Sequence, residues 1–174
     1  MTSSAAHFIF KDGALSWPET LELRKRVYPA NQLESPIEWA QAERRLFLYS
    51  GEDIRAVAGL YQREILWDNQ YIAIAGIGGV MTDPAYQRQG FGKQIIRHLV
   101  AMLKAQDDWA FVLLFCEDHN IPFYDSLGFD LFEGRLEVEQ NGKTGPFAFR
   151  NVMVQALSKP APAAGYIDLC GLPW

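Results

Sequence analysis

Cysteine is scarce in this sequence. Its 174 residues include two cysteines, Cys116 and Cys170. They stand far apart, without the spacing of a metal site, and two cysteines in a chain of this size do not make a disulfide framework. We therefore expect idle thiols and no bound metal.

Long apolar runs and clusters of basic residues are missing as well. No run of about 18 apolar residues occurs, and the opening MTSSAAHFIFKDG has neither the basic start nor the apolar core of a secretory signal. Lys and Arg number 16 against 21 Asp and Glu, a formal net charge of -5, and no basic cluster is dense enough to neutralise a row of phosphates. We expect a cytoplasmic protein that binds neither nucleic acid nor membranes, and whose acidic surface favours a cationic ligand.

Hydrophobic residues make up 49% of the chain, which is enough to bury a core without disulfides. We predict one domain over residues 1–157. Residues 158–174 begin as a spacer rich in proline and alanine and end in an apolar tail. We expect this tail to pack back onto the domain.

Local patterns predict the order of helices and strands. Serine followed three residues later by glutamate occurs at Ser16–Glu19 and Ser35–Glu38, which predicts two short helices. After them come three strands of an antiparallel meander, a helix, a buried strand parallel to the last meander strand, a short helix and a closing hairpin. The predicted bounds are 46–49, 54–67 and 71–81 for the meander, 91–105 for the helix, 109–115 for the buried strand, and 129–138 with 147–157 for the hairpin.

The stretch from Gly76 to Gly92 reads GIGGVMTDPAYQRQGFG and joins a strand, a turn and a helix start. The first backbone N–H groups of a helix lack partners and carry partial positive charge, so this turn can hold a phosphate group. Gly90 and Gly92 remove side chains that would block the approach. The stretch lacks the Gly-Lys-Ser/Thr ending of a nucleotide P-loop and the full glycine fingerprint of a dinucleotide fold.

Two motifs carry a resemblance to a known superfamily. Gln87–Gly92, with the spacing Gln-x-x-Gly-x-Gly after a strand and before a helix, resembles the acetyl-CoA signature of the GNAT N-acetyltransferases. Asn120 lies four residues before Tyr124, and the short helix there ends in Leu-Gly-Phe, which resembles the second GNAT hallmark. The resemblance implies an α+β GNAT fold: a mixed, mostly antiparallel sheet of about seven strands with a central splayed parallel pair, flanked by about four helices. It also implies acetyl-CoA as co-substrate. Homodimers are common in this superfamily, so a homodimer is one candidate state, and the sequence leaves the oligomeric state open.

The same resemblance implies roles for individual residues. Tyr124 would be the general acid for the leaving thiolate, and the backbone N–H of Met81 would polarise the thioester carbonyl. The general base stays open among Glu117, Asp118 and His119. The residues expected to bind the cofactor are Val80, Met81, Thr82, Gln87, Arg88, Gln89, Gly90, Phe91, Gly92, Lys93 and Asn120.

A closer resemblance points to an acceptor. The segment from Gln62 to Gly92 and the ending in tryptophan are similar to aminoglycoside 2'-N-acetyltransferases, in which the extreme C-terminus, including its terminal carboxylate, contributes to the acceptor site. This nominates Asp168 and Trp174, and the predicted second helix adds Glu34 and Glu38 as substrate-binding residues. The sequence departs from that family at Gly78, where the family carries an acidic residue.

The sequence therefore predicts an enzyme that transfers the acetyl group of acetyl-CoA to a primary amine of a small cationic molecule, with an aminoglycoside as one candidate, by direct attack in a ternary complex. Two alternatives remain open. One is a protein or peptide N-acetyltransferase, and the other is a non-catalytic sensor that binds acyl-CoA.

Overall fold

The structure is a computed structural model and describes residues 5–33, 35–148 and 150–174. Glu34, one of the predicted acceptor-site residues, lies outside the described residues. The strands are β1 (Ala6–Asp12), β2 (Arg44–Ser50), β3 (Asp53–Trp67), β4 (Gln70–Thr82), β5 (Phe111–Cys116), β6 (Asp130–Leu131), β7 (Arg135–Gln140), β8 (Lys143–Pro146), β9 (Asn151–Ala156) and β10 (Tyr166–Asp168). The helices are α1 (Trp17–Val27), α2 (Phe91–Gln106) and α3 (Ile121–Asp125), with 3₁₀ turns at Ala30–Gln32, Pro84–Tyr86 and Asp118–Asn120.

All these strands join one mixed sheet, which confirms the predicted α+β class. The order is β6-β9-β5-β4-β3-β10-β7-β8, with β2 and then β1 continuing from β3. Two neighbouring pairs are parallel, β4 with β5 and β10 with β7. Over the described ranges the sheet has ten strands where about seven were predicted, and three α-helices where about four were.

The central parallel pair is short and then splays. β4 and β5 pair at three positions, Ala75↔Val112, Gly76↔Leu113 and Ile77↔Leu114, although both strands continue further. Helix α2 supplies the crossover between them because its apolar positions recur on one stripe and pack on this part of the sheet. The result is an opening at the carboxyl ends of β4 and β5. No helix in the described part of the chain is long and apolar enough to span a membrane.

The predicted helix at Ser35 is wrong, because tertiary contacts outweigh its capping pattern. The Ser35 hydroxyl does accept a hydrogen bond from the Ile37 amide, but it also accepts one from the Trp39 indole, and the segment continues as an irregular chain. The Trp39 ring packs edge-on against Phe147 at 6.1 Å, and the Ala40 amide donates to the Pro173 carbonyl. Trp39 is partly buried by these contacts, and such tertiary packing outweighs a local helix preference.

The first predicted helix forms, but without the predicted serine cap. The Ser16 side chain makes no capping hydrogen bond to α1, and its hydroxyl donates to the Asp12 carbonyl at 2.6 Å. It therefore closes the turn between β1 and α1. Helix α1 itself is anchored through Leu23, which is fully buried against the sheet.

The predicted closing hairpin is also wrong. Its first half divides into β6, which pairs with β9, and β7, which pairs with β8. Asn141 and Gly142 both have positive φ, 51° and 69°, at the tip between β7 and β8. This Asn-Gly pair is the signal for a two-residue turn, and it closes a tighter hairpin than the one predicted.

The C-terminal segment enters the sheet. β10 lies between β3 and β7, antiparallel to the first and parallel to the second, and its central residue Ile167 is fully buried. From there the chain runs back to the splayed strands, where Trp174 is buried.

Candidate active site

The turn between β4 and α2 presents backbone amides outward. Arg88 and Gly90 adopt positive φ angles of 61° and 86°, and Gly90 is the residue that caps α2. Gln94 donates the first helical hydrogen bond, to the Gly90 carbonyl at 3.0 Å. The amides of Phe91, Gly92 and Lys93 come before it and stand at the positive end of the helix dipole. This geometry suits a phosphate-bearing ligand.

The side chains of the two glutamines in this turn hydrogen-bond to backbone carbonyls of the same segment. Gln87 donates through Nε2 to the Thr82 carbonyl at 3.3 Å, and Gln89 donates to the Ala85 carbonyl at 3.4 Å. Their side chains therefore hold the loop in shape, which leaves the backbone amides and the exposed Arg88 side chain for a ligand.

Gly92 lies close to residues of two other elements. A Cβ atom there would lie 3.3 Å from the Thr82 hydroxyl and 3.5 Å from the Phe123 ring. The first turn of α2, the end of β4 and helix α3 thus converge beside the splayed strands. A Cβ atom at position 92 would be tight against the Thr82 hydroxyl and in ordinary contact with the Phe123 ring.

β4 carries a bulge at the splay. Met81 pairs with Val57 and Gly78 pairs with Gly59, so that Gly79 and Val80 together oppose a single residue of β3. Gly79 has φ of 56°, the conformation found in the first residue of a glycine bulge. Such a bulge turns backbone groups out of the ladder. The Met81 side chain is buried in a cluster with α1, so its backbone is the part that could face a ligand.

Tyr124 is buried near the end of β5. Its ring makes edge contacts with Phe123 and Phe129, at 5.0 and 5.8 Å between centroids. Burial raises the pKa of its hydroxyl well above the usual range, and the nearby Cys116 and Tyr28 raise it further. The hydroxyl is therefore protonated at neutral pH and can donate a hydrogen bond. Asn120, at the start of α3, makes no side-chain capping bond to that helix.

A charged cleft of about 470 Å³ lies beyond the carboxyl end of β5. The Glu117 carboxylate lies 3.4 Å from Arg150 Nη2 and 3.5 Å from His119 Nδ1. Asp118 accepts a 2.6 Å hydrogen bond from the Asn151 side chain. The three residues proposed as the base from sequence therefore line one cleft. Its lining is Glu117, Asp118, His119, Ala148, Arg150 and Asn151.

Sequence reasoning missed three residues here: Tyr28, Arg150 and Asn151. Burial raises the pKa of Tyr28, while Arg24 lowers it, Glu117 raises it and Arg150 lowers it. The Tyr28 phenol is therefore within electrostatic range of Glu117 and Arg150 in the charged cleft. Tyr28 follows a helix and Arg150 precedes a strand, and neither position carries a local signal of function. Only the fold brings them to Glu117.

Trp174 fills the opposite face of the splayed pair. Its ring stacks on Tyr61 at 5.5 Å and meets Phe115 edge-on at 5.8 Å, and its Nε1 donates to the Leu113 carbonyl at 3.3 Å. A Cβ atom at Gly76 would lie 2.3 Å from the indole, and one at Gly78 would lie 3.1 Å from it. The side chain missing at Gly78 is thus explained by packing, since the indole takes the space.

The two other acceptor candidates hold loops. Glu38 accepts a hydrogen bond from the Asn141 amide at 2.8 Å and so ties the irregular segment after α1 to the β7–β8 hairpin. Asp168 accepts from the Cys170 amide at 2.8 Å and shapes the turn that follows β10. Each carboxylate therefore has a structural role in its loop that requires no bound ligand.

Comparison with known families gives a match over most of the chain. A sequence model described as an acetyltransferase (GNAT) domain matches residues 15–132. A protein named histone acetyltransferase TAP1 from Glycine max is 36% identical over 77 residues, which is 44% of this chain and 30% of that protein. The matched part spans less than a third of the curated relatives, at 30%, 28% and 21% of their lengths.

Solved structures share the fold. The ribosomal-protein-S18-alanine N-acetyltransferase from Escherichia coli superposes with a TM-score of 0.59 and 18% identity, over 90% of this chain and 97% of that one. A GNAT family acetyltransferase from Brucella melitensis, in complex with acetyl-CoA, has a TM-score of 0.61 and 16% identity, over 94% and 95% of the two chains. At such identities the likeness concerns the backbone architecture.

Proposed function

Because this chain belongs to the GNAT acetyltransferase family, we propose that it transfers the acetyl group of acetyl-CoA to a primary amine of a small cationic molecule. The amine attacks the thioester directly while both substrates are bound. One observation carries the proposal: the amides of α2, the bulge of β4 and the Tyr124 helix converge on the opening between β4 and β5.

The cofactor would enter along this opening. The amides from Arg88 to Lys93 would hold the pyrophosphate, and the backbone of Val80, Met81 and Thr82 would pair with the pantetheine arm, with Asn120 beside it. The Met81 N–H is the candidate donor to the thioester oxygen, where negative charge develops in the transition state. This arrangement leads the sulfur toward α3 and Tyr124.

Acetyl transfer forms a bond from nitrogen to the acetyl carbon and breaks the bond from that carbon to sulfur. The nitrogen loses a proton to a base, and the departing thiolate gains one. Burial keeps the Tyr124 hydroxyl protonated, and the reference pKa of a thiol, about 8.5, lies below that of tyrosine. Because the pKa of Tyr124 lies above that of the thiol, complete transfer of its proton to the thiolate is uphill. Tyr124 would therefore stabilise the departing sulfur as a hydrogen-bond donor, and any proton that it gives to the thiolate is replaced by the one that the amine releases. The base would come from the charged cleft, where Glu117, Asp118 and His119 are the candidates.

A small acceptor suits the face opposite α2. Trp174, Tyr61 and Phe115 pack into that side of the splay and limit its width. The chain carries a net charge of -5, and two carboxylates line the nearby cleft, so a cationic amine is favoured. A polyamine such as an aminoglycoside fits these terms, and the resemblance from Gln62 to Gly92 supports its inclusion among the candidates.

A protein or peptide amine is the second candidate. The names of two relatives favour it, since one is called a histone acetyltransferase and another a ribosomal-protein-S18-alanine N-acetyltransferase. A polypeptide acceptor requires an open groove on the acceptor face, and the buried Trp174 argues against one.

Thermal unfolding with acetyl-CoA tests the donor. At a hundredfold excess over its dissociation constant, a ligand adds about 2.7 kcal/mol to the free energy of unfolding, which for a chain of this length raises Tm by about 5–10 °C. Adenosine diphosphate serves as the control, and no rise with acetyl-CoA contradicts the proposal. Turnover assays with polyamines, aminoglycosides and amine-bearing peptides then separate the acceptors. Binding of acetyl-CoA without turnover on any amine would indicate a sensor.

A further inference from the structure

Arg55 occupies an irregular position in β3. Leu48 pairs with Ala56 and Tyr49 pairs with Ile54, so that Arg55 is the extra residue of a β-bulge. A bulge re-aims a side chain and occurs often beside active sites. Here it turns the guanidinium toward the segment that joins β4 to α2.

The guanidinium packs against both ends of the phosphate-binding turn. Its Cζ lies 3.4 Å from the centroid of the Tyr86 ring, just before the turn, and 6.0 Å from that of Phe91, just after it. These two rings also meet each other edge-on at 6.4 Å. Arg55 therefore contacts an aromatic ring at each end of the turn.

The charge of Arg55 has two carboxylates nearby. Its Nη2 lies 3.6 Å from Asp53, whose side chain is 65% exposed, while the arginine side chain is 14% exposed. Arg55 is also one of the charges that lower the pKa of Asp83 against the effect of burial. Within the described part of the chain, Nε and Nη1 are buried and have no hydrogen-bond partner. Buried polar groups without partners are rare in folded proteins and call for an explanation. An anion held on the neighbouring turn supplies one, since it would offset the charge.

We propose that Arg55 is a positioning residue for the cofactor pyrophosphate: it holds the turn through Tyr86 and Phe91, and its charge attracts the bound diphosphate. This inference rests on the proposed function, because it takes acetyl-CoA as the ligand of the turn. Arg55 acts through the turn, so its loss weakens cofactor binding and leaves the chemical step unchanged at saturation.

The test compares two ligands by calorimetry, acetyl-CoA and S-acetylpantetheine, which lacks the diphosphate. We expect R55M to weaken the affinity for acetyl-CoA about tenfold and to leave the affinity for S-acetylpantetheine unchanged. The difference in acetyl-CoA affinity between R55M and the wild type should become smaller at high salt. R55K, which keeps the charge but loses the flat stack on Tyr86, should recover part of the affinity. The KM for acetyl-CoA should rise while kcat stays at the wild-type value.

The control is R44M, because Arg44 also stacks on an aromatic ring, that of Phe10 at 4.2 Å, in another part of the sheet. It should bind both ligands as the wild type does. Equal losses for both ligands, or none for acetyl-CoA, would overturn the inference. If R55M does not fold, R55Q is judged by the same criteria. If the wild type itself does not bind acetyl-CoA, the proposed function fails, whereas wild-type binding with an unaffected R55M removes this inference alone.

Discussion

Replacing Gly76 with alanine should force Trp174 out of its site. The added methyl group would lie 2.3 Å from one carbon of the indole and 2.4 Å from another. Non-bonded carbon atoms do not approach each other so closely. The Leu113 carbonyl holds the indole in place, and Tyr61 stacks against it, so a small shift breaks both contacts. Overpacking of this kind costs about 1–3 kcal/mol, and full expulsion of the ring costs as much as its truncation, about 3–5 kcal/mol.

Urea denaturation of four proteins measures the effect: the wild type, G76A, W174A and the double variant. We expect G76A to lower the free energy of unfolding by at least about 1 kcal/mol, and Tm by about 2–4 °C for each kcal/mol. In the W174A background the same substitution should cost less than about 0.5 kcal/mol, because the obstructing ring is gone. G145A is the matched control, since a Cβ atom there meets nothing within 4 Å. A G76A variant as stable as the wild type, or an equal cost in both backgrounds, would refute this packing argument.

Two further predictions concern tyrosines. Tyr124→Phe keeps the ring contacts with Phe123 and Phe129 and removes the donor, so kcat should fall about a hundredfold with acetyl-CoA affinity unchanged. The control is Y71F, at a side chain that is 69% exposed, and an unaltered kcat in Y124F would end the assignment of Tyr124 as acid. Alkaline pH should destabilise the fold, because burial raises the pKa of Tyr61 to about 12 and that of Tyr124 as well. The unfolded chain ionises first, at about pH 10, so this stability is complete below that pH and is lost as pH rises toward the folded values, by up to about 1.4 kcal/mol per pH unit for each group. Urea denaturation between pH 9 and 11.5 measures the loss, which should be smaller in Y61F, and a flat profile would contradict the burial argument.

Local sequence signals predicted the elements around the turn that precedes α2. The apolar stripe of α2 and the continuous apolar run of β5 have periods that distinguish a helix from a buried strand. The glycines before α2 indicated the turn, and the left-handed φ of Gly90 shows why one of them is there. These features depend on residues close together in the chain, so they can be predicted without knowledge of the fold.

The Ser35 segment shows where such signals fail. Its capping pattern is sound, but Trp39 finds a site against Phe147, far away in the sequence. The closing hairpin failed for another reason. The Asn141-Gly142 pair closes a tight hairpin between β7 and β8, which leaves β9 to pair with β5. In the first segment a distant contact decides the structure, and in the second a two-residue turn does.

The sequence by itself determined the family, the position of the amide-bearing turn and the order of the core helices and strands, because these follow from motif spacing and hydrophobic period. Only the tertiary structure decided which face the C-terminal segment covers and why Gly76 and Gly78 lack side chains, since the indole of Trp174 occupies that space. It also decided that Glu117 faces Arg150 across one cleft. Strand pairing and burial join residues that are distant in the chain. The free energy of such contacts depends on both partners, so the sequence around either partner does not reveal them.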